Sequence, residues 1–596
     1  MTDIIAPDQA KTLSELFRER VGKMPDKIAY RQYDATREQW VATSWREMAG
    51  EVARWQAALR SSGLVKGDRA AVMLRNCREW VLFDQAALGL GLITVPLYIE
   101  DRAENAAFIL RNAEVKFLLV EGAEQWRALL CCEDGLPTVR HIVSLQEIQG
   151  ATDPRLRELK RWLPETTPAL HTEPMSPDEL ASIVYTSGTT GKPKGVMLTH
   201  RNILHNAWSS ARTVDIDSGA EFLSFLPLSH TLERTIGYYL AMMVGGTVTY
   251  NRSIKLLPDD LVAIRPSVLI SVPRIYERVY AKVSEALKSQ PRLRRLLFEA
   301  TLHVGWKRFK WRQREMAWSP WLLLWPLLDR LVARKIMSRL GGRVRFAICG
   351  GAPLPSGVSR FFISLGLNLL QGYGLTEASP VISVNRERRN RPDGIGLPLP
   401  DIEVRIAANG ELETRSPCVM RGYWQDEAAT RLAFTTDGWL RTGDKARMDE
   451  DGFLYITGRL KEIIVLSNGE KVPPADMEMA ISMDPLIEQV MVVGEARPYL
   501  TALVVLNPDV WRVLARERGV DPNDTASLRQ QKILSELLHV ISSRLKEFPG
   551  YAQVRKVFPT LQPWTVEDGM LTPTLKLKRN SLLEKYASEI AGLYKD

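Results

Sequence analysis

Residues 185–195 read YTSGTTGKPKG, a density of glycine, hydroxyl and lysine that narrows what the segment can do. Gly188, Gly191 and Gly195 permit turns that a side chain would forbid, so backbone N–H groups can converge on an anion. Thr186, Ser187, Thr189 and Thr190 add hydroxyl donors, and Lys192 and Lys194 add positive charge. The apolar run Ile183-Val184-Tyr185 leads into it as a strand would, and the whole reads as a phosphate cradle. It is not a Walker A loop, because Pro193 stands five residues after Gly188, where that pattern needs the glycine of its Gly-Lys pair. A flexible solvated turn is the plain alternative.

Toward the N-terminus, helical patterns alternate with short apolar runs: WREMAGEVARWQAALRSSG, RAAVML, EWVLFDQAALGLG, ITVPLY, NAAFILRNA and VKFLLVEG. Such alternation predicts βαβ units on a largely parallel sheet. GLGLIT at 89–94 comes near a dinucleotide fingerprint but ends in Thr and runs from helix into strand, so packing is its expected role. A second α/β region is expected to begin at the Gly-Thr loop and to run through VRFAICGGAPL (344–354) to LNLLQGYGLTEAS (367–379). Beyond it, EVRIAANGELETRS and GFLYITGR predict a small β-rich subdomain, and a mixed segment from about residue 460 predicts a smaller C-terminal domain.

A chain of 596 residues exceeds what one core supports, so more than one domain is expected. Its net charge of +9 suits an anionic ligand or surface. Nucleic acid is set aside, since the sequence carries no helix-turn-helix, zinc-finger or aromatic RNA-binding signature. The five cysteines (Cys77, Cys131, Cys132, Cys349, Cys418) show no C-x-x-C spacing, which favours free thiols in a reducing compartment. The start, MTDIIAPDQAKTLSELF, lacks a basic region followed by an apolar one, so a cytoplasmic protein is expected. No apolar stretch reaches the roughly 18 to 20 residues of a membrane span.

Four further stretches join the first. GGAPL (350–354) and GYGLTE (372–377) each follow an apolar strand, RTGD (441–444) precedes DEDGFLYITGRLKE (449–462), and Lys576 lies near the C-terminus. In order and spacing the set resembles the core motifs of the AMP-forming adenylate-forming superfamily, over nearly the whole chain. FLPLSHTLERT (225–235), GRVRFAICGGAPL, QGYGLTE and LSNGEKV most resemble long-chain acyl-CoA synthetases. The resemblance implies an α/β fold with a large N-terminal domain, residues 1–459, made of two α/β subdomains and a small β-rich one. A smaller, mobile α+β C-terminal domain would follow at 460–596. It also implies two half-reactions: a fatty acid and MgATP give acyl-adenylate and pyrophosphate, then the thiol of coenzyme A displaces AMP. Two rivals stay open, an acyl-adenylate ligase that loads an acyl carrier protein and a non-catalytic acyl or nucleotide binder.

The resemblance also implies roles. The loop from Thr186 through Ser187, Gly188, Thr189, Thr190 and Gly191 to Lys192 and Lys194 would hold the β- and γ-phosphates. Gly350, Gly351 and Ala352 would leave room for adenine, and Tyr373, between Gly372 and Gly374, would stack on it. Thr376 would contact the α-phosphate, Glu377 would ligate Mg²⁺ together with Thr186, and Asp444 would accept the ribose hydroxyls with Arg459 close by. His230 would line the acyl end of the site. Glu233 and Arg234 go with it as pattern alone. Lys461 falls at the hinge between the domains. Lys576 would bridge the acyl carboxylate and the α-phosphate. The usual glycine before this lysine is Leu575 here, and Lys578 is the alternative.

Residues 285–335 combine many Lys and Arg with Trp306, Trp311, Trp318, Trp321 and Trp325, and Pro320 and Pro326 interrupt the apolar part. Basic residues with interfacial tryptophans suggest a segment lying on an anionic membrane surface. Packing on the protein's own body and burial in a homodimer are the alternatives.

Overall fold

The computed structural model describes residues 4–132, 136–186, 193–460 and 462–595. Among these, the predicted alternation appears as helices Trp45–Ser61, Arg78–Gly89 and Ala103–Asn112 between strands Arg69–Met73, Ile93–Pro96 and Phe117–Val120. The first helix starts where Ser44 caps it: its hydroxyl accepts from the Glu47 N–H, and the Glu47 carboxylate accepts from the Ser44 N–H. Trp45, Met48, Val52, Trp55 and Leu59 repeat at helical spacing along its buried face. Every residue of Phe117–Val120 is buried, as a central parallel strand covered on both faces requires.

Two large sheets form the body. In the first, strand order runs Gly422–Tyr423, Lys194–Thr199, Leu180–Thr186, Ile93–Pro96, Arg69–Met73, Phe117–Val120, His141–Ser144 and Leu156–Glu158. The second runs from Leu397–Pro398 through Val381–Val384, Leu369–Gly374, Phe346–Cys349, Val268–Ser271, Glu221–Ser224 and Thr247–Tyr250 to Ile28–Asp34 and Gln39–Ser44. The boundary expected at the Gly-Thr loop is therefore corrected. The two strands flanking that loop are an antiparallel hairpin that completes the first sheet, and the chain's first two strands belong to the second. An apolar run shows that a strand is buried, but not which sheet receives it.

The β-rich unit is an antiparallel sheet of Glu403–Ile406, Glu411–Arg415, Leu440–Met448 and Leu454–Arg459. Beyond it, Ile487–Val493, Leu500–Leu506 and Val554–Thr560 form a separate sheet. Met477, Ile533, Leu537 and Ile541 cover one of its faces and Trp564, Leu582 and Tyr586 the other, which is why Leu500–Leu506 is buried throughout.

Arg234, for which the sequence offered no chemistry, joins the layers. It lies in the π-helical stretch Glu233–Leu240 and donates to Ser182 Oγ (2.7 Å), Thr94 Oγ1 (2.7 Å) and Asp84 Oδ1 (2.5 Å). Tyr239 and Tyr238 donate to the other Asp84 oxygen at 2.7 and 3.1 Å. One cation thus ties a helix and two strands of the first sheet to the layer against the second, and breaking such a buried pair costs about 3–5 kcal/mol. Its neighbour Glu233 is also buried and keeps one oxygen unpartnered, and burial pushes its carboxyl up to about 8. Gly237, one turn on, makes the space, since a Cβ there would lie 2.5 Å from Glu233 Oε1.

Candidate active site

Strand Leu369–Gly374 brings the GYG segment to the seam between the body and the β-rich unit. Gly374 is glycine for packing, since a Cβ there would overlap the Pro380 carbonyl. Gly372 is nearly as tight, 3.2 Å from the Ser383 carbonyl. Gly350 differs: a Cβ would meet nothing closer than 3.5 Å, so packing alone does not demand glycine there. Its N–H donates to the Ser271 carbonyl, Gly351 turns the chain at φ +81°, and Ala352 is exposed.

Tyr373 reaches across the seam and donates to Asp444 Oδ2 at 2.6 Å, while Arg459 Nε donates to Oδ1 at 2.8 Å. Register makes this pair, because Asp444 and Arg459 face each other on adjacent antiparallel strands. Burial first, and Asp444 next, push the Tyr373 phenol well up, so it stays a donor. Thr376 follows in a short turn, its hydroxyl 3.4 Å from that of Thr231. Glu377 Oε1 accepts from the Tyr423 hydroxyl at 2.8 Å, and its carbonyl accepts from the Met420 N–H. Tyr423 pairs with the strand that leaves the Gly-Thr loop, and Lys194 Nζ lies 5.2 Å from its ring. The acidic residue and the loop base, where Thr186 pairs with Lys194, are therefore held together. Ser187 through Lys192, and Lys461, lie outside the described residues.

His230 is half-buried, and burial, with Lys576 adding to it, lowers its pKa to about 4. Its Nδ1 accepts from the Leu232 N–H at 3.1 Å, so the neutral ring carries its proton on Nε2. Lys576 keeps solvent access inside a cleft whose walls desolvate it. That desolvation lowers its pKa, Arg459 adds to the effect, and Asp444, Glu462 and Glu377 oppose it. Lys578 acts on Asp101 instead. Of the two candidate lysines, Lys576 is the one among Asp444, Arg459, Glu377 and His230. Leu575 sits at φ +60°, the left-handed region that glycine tolerates best, and its carbonyl accepts from Arg274 of the large domain at 3.4 Å.

Three contributors escape a sequence reading. Tyr423 orients Glu377 from 46 residues away. Glu462 stands between Arg459 (3.8 Å) and Arg579 (3.9 Å), and Arg579 pairs with the partly buried Glu478 at 2.5 Å. Burial raises the Glu478 carboxyl to about 7, with Arg579 opposing. A chain of charges thus runs from Asp444 into the C-terminal core. The only signal available for it was that Glu462 closes the GRLKE stretch following RTGD.

Two family models match the chain, the AMP-binding enzyme over residues 17–424 and the AMP-binding enzyme C-terminal domain over 461–596. The chain belongs to the AMP-binding enzyme family. Among curated relatives, the long-chain-fatty-acid–CoA ligase FadD15 of Mycobacterium bovis is 34% identical over 96% of this chain and 95% of its own length. The peroxisomal long chain acyl-CoA synthetase 6 of Arabidopsis thaliana is 32% identical over 92% of this chain and 81% of its own. A chloroplastic Arabidopsis protein named long-chain-fatty-acid–[acyl-carrier-protein] ligase AEE15 is 28% identical over 98% and 87%. The adenylation domain of a Mycobacterium chelonae carboxylate reductase shares the fold, with TM-score 0.77 and 23% identity over 98% of this chain and 91% of that one. The superfamily and the α/β architecture expected from the motifs are borne out.

Proposed function

We propose that this AMP-binding enzyme is a long-chain fatty acid–CoA ligase of residues 1–459 and 460–596 hinged at Lys461. In the first half-reaction a carboxylate oxygen of the fatty acid attacks the α-phosphorus of ATP, and the bond to pyrophosphate breaks. In the second, the sulfur of coenzyme A attacks the acyl carbon, loses its proton, and AMP leaves. The chain needs no nucleophile of its own; it positions two anions and stabilises charge developing on phosphate oxygens. The observation that carries the reading is Lys576 inside the cleft among Asp444, Arg459, Glu377 and His230, where a cation can meet a carboxylate and a phosphate together. Its lowered pKa has a desolvated origin, so its charge would act strongly on a bound anion.

Thr376 contacts the α-phosphate in this reading, and the Gly-Thr loop, with Thr186 at its base, holds the terminal phosphates. Adenine lies over Gly350, Gly351 and Ala352 against Tyr373. Asp444 keeps lone pairs for the ribose hydroxyls beyond those taken by Tyr373 and Arg459. Neutral His230 offers Nε2–H toward the acyl end.

The donors fit a magnesium ion carried by the nucleotide. Glu377 has a second carboxylate oxygen beyond the one bonded to Tyr423, Thr186 and Thr376 add hydroxyl oxygens, and no cluster of three metal-binding side chains occurs among the described residues. Such an ion neutralises phosphate charge when bound.

The free cysteines, of which Cys131 is exposed and Cys77 and Cys132 are partly so, support a cytoplasmic setting, and the basic tryptophan-rich segment supports peripheral contact with a membrane. The test is acyl-dependent pyrophosphate release across chain lengths, with and without coenzyme A. Long-chain acids should give release and, with coenzyme A, thioester. Release without thioester would transfer the reading to a carrier-protein ligase, and no release with any acid would make the chain a binder.

A further inference from the structure

Twelve Lys and Arg stand against three Asp and Glu between residues 291 and 340, an excess of nine that equals the net charge of the whole chain. The rest of the chain balances. The structure displays these cations around an apolar face. Helix Arg292–Arg312 is fastened to the body by Phe298, Thr301, Val304 and Gly305, and Gly305 admits no side chain because a Cβ would overlap the Ser364 carbonyl. Against that helix pack the turn Pro320–Leu324 and the helical pieces Trp325–Leu328 and Asp329–Ala333. Their outward side chains are large and apolar: Trp321 (56% exposed), Leu323 (71%), Leu327 and Leu331, with Trp318 exposed just before them.

The five tryptophans of the segment do not act alike, which corrects the expectation drawn from composition. Trp325 packs inward against Gly305 and Gly366 with Arg308 5.0 Å from its ring, and Trp306 stacks on Phe309 beneath Arg360. Both belong to the body. Trp321 points out, and Lys307 Nζ lies 5.5 Å from its ring, so an ammonium borders the exposed indole. In the same segment Arg292, Arg294, Arg295, Arg330, Lys335 and Arg339 are exposed. Arg312 and Arg334 are already paired, with Glu387 and Asp329.

We propose that this face docks on an anionic lipid bilayer, with Trp318, Trp321 and Leu323 entering the interface and the arginines meeting headgroup phosphates. Charge selects the occupant. A two-fold dimer through this face would set the same cationic patch against itself, whereas an anionic bilayer complements it. Among the described residues no helix is long and apolar enough to cross a membrane, and the helical run from Pro320 to Leu340 carries Asp329, Arg330, Arg334, Lys335 and Arg339, so the face lies on the surface. The proposal rests on the ligase reading only for its use, which is to meet a sparingly soluble acid where it is concentrated.

The full chain is tested by co-sedimentation with phosphatidylcholine vesicles with and without phosphatidylglycerol. Binding should require phosphatidylglycerol and fall about tenfold or more when salt is raised to about 0.5 M. Trp318→Ser/Trp321→Ser/Leu323→Ser and, separately, Arg294→Gln/Arg295→Gln should each weaken it, while pyrophosphate release with a soluble medium-chain acid stays unchanged. Equal binding to uncharged vesicles, or none to anionic ones at low salt, overturns the proposal. So does a dimer in sedimentation equilibrium that the triple variant dissociates. Loss of pyrophosphate release in the wild type would sink the ligase reading instead and leave docking standing.

Discussion

Arg234 meets Asp84 at 2.5 Å with 2% of the arginine exposed, whereas Arg459 meets Asp444 at 2.8 Å with 47% of the arginine open to the cleft. Around Asp84 both carboxylate oxygens have partners, and the two terminal nitrogens of the arginine donate to Ser182, Thr94 and Asp84, while its buried Nε has none. Around Asp444 each oxygen has one partner, and the arginine also faces Glu462 beside the proposed hinge. Enclosure, more than the kind of pair, separates a strut from a working contact. A closed pair is costly to break and has no capacity left for a ligand, while an open one is cheap to alter and can accept one.

The largest expected effect breaks the closed pair. Arg234→Ala should cost about 3–5 kcal/mol in urea unfolding by leaving Asp84 buried without its cation. Asp444→Asn should change stability by less than about 1 kcal/mol, yet weaken ATP use in the pyrophosphate assay. Similar stability losses in both would erase the contrast.

Next, Lys576→Ala should slow adenylation by roughly 10² to 10³, the usual effect of deleting one transition-state charge donor. Thioester formation from supplied acyl-adenylate should survive, and Lys578→Ala should stay near the wild type. A Lys578 effect as large as that of Lys576 would misplace the charge.

A third expectation concerns the acid beside the strut. Glu233 goes from an ordinary value of 4.5 to about 8 on folding, so the folded state holds the extra proton between those values. Its contribution is full below 4.5 and is lost as pH rises through 8. The slope within that window is at most about 1.4 kcal/mol per pH unit. Glu233→Gln should flatten that decline in unfolding measured against pH; an unchanged profile would mean that the carboxyl is not held neutral. His200 acts with the opposite sign. Buried and accepting from the Leu13 N–H, it is lowered from 6.5 to about 4, so its stability is lost as pH falls through that range.

Smaller still, Glu462→Gln should weaken the link between Arg459 and Arg579 and reduce adenylation by at most about fivefold, the range of a partly exposed ion pair. Coenzyme A transfer should be spared, and equal loss in both half-reactions would make Glu462 merely structural. Smallest is Leu575→Gly, which relieves a left-handed backbone but adds unfolded-state freedom. A net gain of about 0.5–1 kcal/mol is expected in thermal unfolding, with activity kept.

Legibility followed distance along the chain. The helices and strands between residues 45 and 120 stand where periodicity placed them, because burial of a face repeats every few residues and leaves a local trace. Thr376 with Glu377, and Asp444 with Arg459, were legible as motifs for the same reason: a turn or a register brings them together over a short span. Tyr423, Asp84 and Arg579 were not, since each acts on a residue joined to it only through packing. The exchange of strands between the two sheets was hidden in the same way, as were the opposite fates of Trp321 and Trp325.

By itself the sequence determined the superfamily, the α/β class, the cationic character of residues 285–335 and the types of side chain available to the site. These are properties of composition, spacing and local turn chemistry, which exist before the chain folds. Only the tertiary structure decided that Lys576 lies where Arg459, Asp444 and Glu377 act on it while Lys578 acts on Asp101, that Arg234 is spent as a strut, and that Trp321 faces outward while Trp325 packs in. Each of these depends on which surface closes over a side chain, and that is settled when distant segments pack and exclude water, a step that leaves no pattern in the neighbouring residues.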